Sequence, residues 1–131
     1  MIDIFSTSNA KASTANSTIF IDCNYIEDIP PLSGLRQYDG IHASVLAHFK
    51  ANPNFRDLVN TSVKHIHKSS IPSFTFVSLE GLYRAPATAY VVSKELSALG
   101  DEIILTHIEL PVPSEHMRPT KRTWGTYDEF Q

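Results

Sequence analysis

The stretch SFTFVSLEGLYRAPATAYVVSKELSALG, residues 73–100, decides the fold of this chain. Residues 73–78 alternate as a strand does, yet they are apolar enough to lie in the centre of a sheet. Pro86 suits the first turn of a helix, where its missing N–H leaves no intrahelical bond unmade, and Gly100 suits the left-handed position just past the helix end. The stretch therefore predicts a strand, a loop and a helix. The inward stripe of that helix comprises Ala89, Val92, Leu96 and Leu99.

The remaining segments extend this pattern in both directions along the chain. Residues 6–17 are rich in Ser, Thr, Asn and Ala and predict a loop, whereas residues 24–40 carry several Pro and Gly residues and predict a long irregular connection of the kind that is often functional. The other predicted strands cover residues 1–5, 18–23 and 102–107, and the other predicted helices begin near residue 41 and at Pro53. Strands that alternate with helices predict an α/β fold, with a small, mostly parallel sheet and helices on both faces.

Length and composition limit the class of protein. The chain has 131 residues, of which 42% are hydrophobic and 19% are charged, an ordinary balance for one globular domain. Its apolar runs fall short of the roughly 20 residues that a membrane span needs, and Asp3 interrupts any secretory signal. The single cysteine, Cys23, excludes an internal disulfide. We therefore expect a cytoplasmic protein with no membrane partner.

The six histidines do not predict a metal site. His65 and His67 are two residues apart on a predicted helix, so their side chains face different sides. No H-E-x-x-H pattern or comparable set of ligands occurs in the chain. Neither a metal nor an organic cofactor is expected.

Residues 78–84, Ser-Leu-Glu-Gly-Leu-Tyr-Arg, carry the predicted chemistry and are named here the 78–84 loop. In open α/β sheets ligands collect at the carboxyl ends of the strands, where this loop lies. The loop leads into a helix whose first N–H groups are unpaired and carry partial positive charge. Gly81 permits a positive φ, and Arg84 is suited to bind two phosphate oxygens at once. The predicted anion cradle comprises Ser78, Leu79, Glu80, Gly81, Leu82, Tyr83 and Arg84.

The spacing of Ser78 and Arg84 matches the phosphatase pattern C-x5-R, with serine in place of the cysteine. A thiol in such a cradle becomes a nucleophilic thiolate, whereas a serine hydroxyl gains little acidity from the same field. Tyr83 is no base at neutral pH, and the charge of Glu80 repels a bound dianion unless that side chain points outward. These residues favour binding without catalysis. A phosphatase-like hydrolase that uses Ser78, or a water positioned by Glu80, is the enzymatic alternative.

Over residues 1–110 the chain resembles the C-terminal domain of the RapZ family of bacterial RNase adaptor proteins. That domain contains an L-R-x-x-T-G-x-D segment and, between a strand and a helix, a G-C-T-G-G-x-H-R loop. The segments LRQYDGIH, residues 35–42, and VSLEGLYRAP, residues 77–86, stand at the corresponding places in this chain. The matching positions are Ser6, Asp22, Leu35, Arg36, Gly40, Gly81, Arg84 and His107.

The chain also departs from the family pattern at several positions. The replacements are Ser78 for cysteine, Glu80 for glycine, Tyr83 for histidine, Ala85 for serine, Asp39 for threonine and His42 for aspartate. In the family this pocket is associated with an amino-sugar phosphate. The resemblance therefore implies that Ser6, Arg36, Gly40 and His107 complete a pocket for a sugar phosphate or a similar anion.

The function implied by the resemblance is that of a stand-alone regulatory or adaptor module. Such a module binds an anionic small molecule, forms a homo-oligomer and acts through a partner protein. RNA is the less favoured partner, because the net charge is −3 and the basic residues near the C-terminus, Arg118, Lys121 and Arg122, are few. An interaction protein of viral or mobile-element origin, which interferes with a host adaptor in the host cytoplasm, is a further alternative.

Residues 111–131 lie beyond the region of resemblance and are predicted to form a C-terminal tail. Trp124, Tyr127 and Phe130 follow a core that already has its strands and helices, so they need a surface to pack on. Aromatic residues are enriched at the centres of interfaces. We therefore expect the tail to pack on its own domain or on a second subunit.

Overall fold

Five strands and three α-helices make up the part of the chain that the computed structural model describes, residues 1–12 and 19–119. In chain order they are β1 (Ile2–Ser8), β2 (Ile19–Asp22), α1 (Ala43–Lys50), α2 (Pro53–Lys68), β3 (Ser73–Ser78), α3 (Arg84–Ala98), β4 (Ile103–His107) and β5 (Glu115–Met117). A 3-10 helix, Gly34–Gln37, lies between β2 and α1. At α2 the side chain of Asn52 accepts two backbone hydrogen bonds and Pro53 takes the first position, so the predicted start of this helix is confirmed.

The strands form one sheet in the order β2-β3-β1-β4-β5, and every pair is parallel except β4 with β5. The predicted α/β class and mostly parallel sheet are therefore confirmed. β3 has the predicted bounds and is buried along its whole length. The sequence does not predict β5, which lies within residues 111–131 and pairs Met117 with Ile103 of β4.

All three helices lie over one face of the sheet in the described part of the chain. The crossovers from β2 to β3 and from β3 to β4 advance along the sheet in the same direction. Right-handed crossovers that advance in one direction place their helices on one face. Accordingly α3 packs on β1, β3 and β4, and α1 and α2 pack against α3. This arrangement differs from the expected helices on both faces, because alternating strands and helices do not specify the strand order.

The hydrophobic core lies between this sheet face and the helices. The strand side chains that are fully buried there include Ile4, Phe74, Phe76, Ile103 and Leu105. On the opposite face the edge residue Phe20 is half exposed. That opposite face is nonetheless closed along β3, where Thr75 and Val77 are buried, and the carboxyl edge of the sheet carries the loops that lead toward the helices.

Two local predictions are wrong. β1 continues to Ser8, although composition predicts a loop from residue 6, because residues 6–8 pair with β3 and Ser6 also pairs with β4. Leu99 is exposed rather than part of the inward stripe of α3, because the helix ends at Ala98 and the chain turns at Gly100 with a φ of 101°.

The described helices include none that is long and apolar enough to span a membrane. The tail residues Lys121, Arg122, Trp124, Tyr127 and Phe130, for which a partner surface is predicted, lie outside the described residues.

Candidate anion-binding site

The carboxyl ends of the three central strands bring the predicted site residues together. Ser78 at the end of β3 pairs with Ser8 at the end of β1, and Ser6 of β1 pairs with His107 at the end of β4. The connection after β3 runs toward β4, whereas the connection after β1 leads to β2 in the opposite direction. In open α/β sheets such a switch in direction is where ligands bind.

A hydrogen bond to the side chain of Ser78 holds the two ends of the 78–84 loop together. Its hydroxyl is buried, with the residue 2% exposed, and its Oγ accepts a hydrogen bond of 3.2 Å from the backbone N–H of Ala85 in the first turn of α3. The side chain therefore joins the end of β3 to the start of α3 across the loop. This bond stabilises the loop but directs the hydroxyl toward the helix start.

Gly81 is required at the centre of the loop. Its φ is 71°, which favours glycine, and a Cβ built there would lie 2.6 Å from the backbone nitrogen of Ser8. The loop thus lies directly on the end of β1. Any side chain at this position forces the loop away from the sheet.

The backbone N–H groups of residues 80–84 donate no hydrogen bond to any described residue. The N–H of Leu79, by contrast, donates to Oδ1 of Asn24 at 2.7 Å, and that of Ala85 is held by Ser78. Gly81 and Tyr83 are buried residues. Five successive donors are therefore without a partner among the described residues: those of Tyr83 and Arg84 belong to the start of α3, as the sequence predicts, and those of residues 80–82 precede it.

Arg84 does not point into the loop. Its Nη1 donates to the backbone carbonyls of Asn24 and Ile26 at 2.9 and 3.3 Å, and its Nη2 lies 3.7 Å from Oδ2 of Asp28. The guanidinium is thus engaged with the connection that follows β2, rather than free for the two-oxygen contact expected from the C-x5-R spacing. Arg84 joins that connection to the start of α3.

Arg36, from the 3-10 helix, is the second cation beside the loop. Its Nη1 lies 3.3 Å from Oε1 of Glu80, and its Nη2 binds Oδ2 of Asp28 at 3.3 Å and the carbonyl of Ile29 at 2.5 Å. The guanidinium stacks on the ring of Tyr83 at 4.7 Å, and the Tyr83 hydroxyl donates to the Arg36 carbonyl. The Glu80 carboxylate is therefore turned toward Arg36.

Gly40 allows the long connection to approach the loop closely. Its N–H donates to the carbonyl of Leu82 at 2.8 Å, and a Cβ there would lie 2.5 Å from the carbonyl oxygen of Tyr83. The loop is thus in direct contact with Arg36 and Gly40, which precede it by about forty residues in the chain.

Ser6 and His107 meet at the carboxyl edge, next to the loop. Ser6 Oγ lies 2.6 Å from Nδ1 of His107, and both residues are buried. Burial lowers the pKa of His107 from 6.5 to about 4, and the charge of Asp39 only partly opposes this effect. The imidazole is therefore neutral at pH 7 and supplies a polar contact rather than a positive charge.

A third group at this edge is missing from the predicted site. The Ser8 hydroxyl donates to Oε2 of Glu109 at 2.6 Å, and Lys11 lies 3.5 Å from Oε1 of the same carboxylate. The hydrogen bond from Ser8 is the main cause that lowers the pKa of Glu109. Glu109 contacts the loop at Gly81. Its sequence signal was only its place two residues past a strand end, which many solvent-facing acids share.

The described residues contain no cluster of three or more His, Cys, Asp or Glu side chains placed to hold a metal ion. Cys23 is fully buried, and burial raises the pKa of its thiol to about 12, so it is an inert apolar side chain. A cavity of about 460 Å³ on the helical layer is lined by residues that include Lys50, Phe55, Arg56, Val91 and Glu95, and no residue of the loop lines it. No protein-family model matches the chain, and no curated protein matches it.

Proposed function

We propose that this chain is a non-enzymatic, RapZ-like binding module that holds a phosphorylated or otherwise anionic small molecule at the 78–84 loop and acts through protein partners. The unpartnered N–H groups of residues 80–84 carry this proposal. Backbone N–H groups in folded proteins are nearly always paired, with protein, water or a ligand. Successive N–H groups at a helix start attract anions, because the macrodipole adds partial positive charge.

The charges around the loop favour weak binding of a small anion. Arg36 is close enough to the loop to contact a ligand, but Glu80 and Asp28 already neutralise it. Glu109 adds a further negative charge beside Gly81. Backbone amides therefore supply most of the attraction, and we expect a dissociation constant for inorganic phosphate on the order of 1 mM.

The surroundings of Ser78 support binding rather than hydrolysis. Its hydroxyl is buried and accepts a hydrogen bond from Ala85, and no acid or imidazole among the described residues is hydrogen-bonded to it. Glu80, which would position a water in the enzymatic alternative, is turned toward Arg36. A serine without a base is a poor nucleophile at neutral pH.

Exposed apolar residues beside the loop support the proposed action through partners. Leu79 is 63% exposed and directly precedes the unpartnered amides, and Leu82 is 36% exposed and lies among them. Apolar side chains on a loop that binds a ligand place a protein contact next to the occupied site. We propose a second copy of the chain or another cytoplasmic protein as the partner, with RNA the less favoured one.

A phosphate titration followed by amide NMR tests the proposed site. We expect the amide signals of residues 80–84 to shift with inorganic phosphate and with a hexose 6-phosphate at constant ionic strength. The unphosphorylated hexose is the matched control and leaves them unchanged. If the signals stay in place up to about 20 mM phosphate, roughly twenty times the expected dissociation constant, the proposed function is wrong.

A further inference from the structure

Glu80 is the only acidic residue within the 78–84 loop, and its carboxylate lies 3.3 Å from the Arg36 guanidinium. We propose that Glu80 is an internal counter-anion: it occupies Arg36 in the empty protein, and a bound anion takes its place. Glu80 thereby sets the affinity of the loop. This inference rests on the proposed function, since it concerns the same site.

Arg36 is held in position independently of Glu80. Its guanidinium is stacked on Tyr83 and hydrogen-bonded to the carbonyl of Ile29 and to Asp28, and the Tyr83 hydroxyl fixes its backbone. A cation that is fixed by other contacts stays in place when one partner leaves. It therefore offers a pre-organised contact to an incoming anion.

Glu80 is the partner that is easiest to displace. Its side chain is 52% exposed, and it makes one contact with Arg36, whereas Asp28 is more buried and is shared by Arg36 and Arg84. An exposed ion pair contributes little free energy, because water solvates both charges. The Nε of Arg36 is buried without a partner in the described part of the chain, so the present bonds leave a donor of this side chain unused.

A different account of the same contact is electrostatic shielding, in which Arg36 only neutralises Glu80 and never contacts the anion. Both accounts predict tighter binding in Glu80→Gln, because either way a negative charge leaves the loop. They differ in how that gain depends on Arg36. If Glu80 blocks Arg36, the increase in phosphate affinity caused by Glu80→Gln is smaller once Arg36 is replaced. If Arg36 only shields Glu80, that increase is larger once Arg36 is replaced.

The test is a double-mutant cycle on phosphate affinity, measured by calorimetry at constant salt with the wild type, Glu80→Gln, Arg36→Gln and the double variant. We expect Glu80→Gln to bind phosphate about fivefold more tightly, with less than about twofold gain in the Arg36→Gln background. Glu95→Gln is the matched control, since it removes one charge about 16 Å further along α3, and it leaves the affinity unchanged.

An equal or larger gain in the Arg36→Gln background overturns the counter-anion inference and leaves the proposed function standing. Binding by none of the four proteins overturns the proposed function and this inference with it. Circular dichroism confirms that each variant is folded. If Arg36→Gln does not fold, Arg36→Met replaces it, because methionine also removes the charge but can still pack on the Tyr83 ring, and the gain in affinity from Glu80→Gln again has to fall.

Discussion

Ser6 Oγ and His107 Nδ1 lie 2.6 Å apart across β1 and β4, and both residues are almost fully enclosed. The pair joins two neighbouring strands at the edge that carries the proposed site. Because the ring is buried, protonation would place a positive charge where water cannot reach it. The state of this one imidazole is therefore coupled to the stability of the whole sheet.

This coupling predicts a loss of stability in mild acid. The pKa of His107 is about 4 in the folded protein and 6.5 when unperturbed, so the unfolded chain binds the proton first as the pH falls. The stabilisation is fully present above pH 6.5 and is lost between pH 6.5 and 4, a change of about 3 kcal/mol. Urea unfolding between pH 4 and 7.5 measures it.

His107→Gln is the variant that isolates the effect, because glutamine keeps a polar contact for Ser6 but does not titrate. Its free energy of unfolding should be nearly constant from pH 7.5 to 5. His65→Gln, which alters an exposed histidine on α2, keeps the slope of the wild type. An unchanged slope in His107→Gln would show that another group causes the acid sensitivity.

Alanine substitutions at four glycines distinguish the cost of a strained backbone from the cost of a steric clash. Gly81→Ala combines a φ of 71° with a clash against β1, and we expect it to lower stability by more than about 2 kcal/mol. Gly100→Ala has the strain alone, Gly40→Ala has the clash alone, and Gly34→Ala has neither. Thermal unfolding should rank Gly81→Ala as the most damaging and Gly34→Ala as the least. Equal effects at Gly81 and Gly34 would contradict the close approach of the loop to β1.

Arg84→Met tests whether this arginine supports the structure or binds the ligand. Loss of its charge-assisted bonds to the carbonyls of Asn24 and Ile26 should lower the free energy of unfolding by about 1.5–3 kcal/mol. Arg56→Met, an exposed arginine on α2, is the control and changes stability little. Unchanged stability with greatly weakened phosphate binding would instead assign Arg84 to the ligand.

Ser78→Ala tests the enzymatic alternative. We expect the wild type to hydrolyse an aryl phosphate no faster than buffer does, and the variant to be identical in that assay. The variant should still lose about 1 kcal/mol of stability, because the N–H of Ala85 is left without its partner. Hydrolysis above background that disappears in Ser78→Ala would overturn the binding-module proposal.

Light scattering and a salt titration of RNA binding test the proposed partners. We expect the mass of a homodimer and only weak RNA binding at physiological salt, since the net charge is −3 and the few basic residues near Arg118 would displace few counterions from RNA. A monomer that binds RNA tightly, with a steep dependence on salt, would contradict both expectations and favour an RNA adaptor.

The sequence predicts those parts of the fold that local chemistry determines. The strand Ser73–Ser78, the start of α2 at Pro53 and the left-handed turn at Gly100 all follow from patterns within a few residues. Residues 6–8 are polar and resemble a loop, and only their pairing with distant strands makes them a strand. Strand order and the placement of helices depend on the same distant pairing, and no local pattern contains it.

For the site, the sequence predicts which residues meet but not what their side chains contact. Gly81 and Gly40 lie at close approaches of the loop, as their types imply. The direction of Arg84 depends on carbonyls in a segment about sixty residues earlier, which the C-x5-R spacing does not include. The ion pair of Glu80 with Arg36 likewise depends on how the long connection folds back.

The position of β1 in the middle of the sheet has a consequence for how the chain folds. This strand is synthesised before every partner it has: Asp3 pairs with Ser73, and Ile2 pairs with Ile103. During synthesis β1 therefore lacks both of its described strand partners until Ser73–Ser78 has been made, more than half way along the 131 residues. Pairing strands so distant in sequence costs loop-closure entropy before the new contacts stabilise the sheet. We therefore expect the sheet to assemble slowly, and only after β3 and β4 are available to pair with β1.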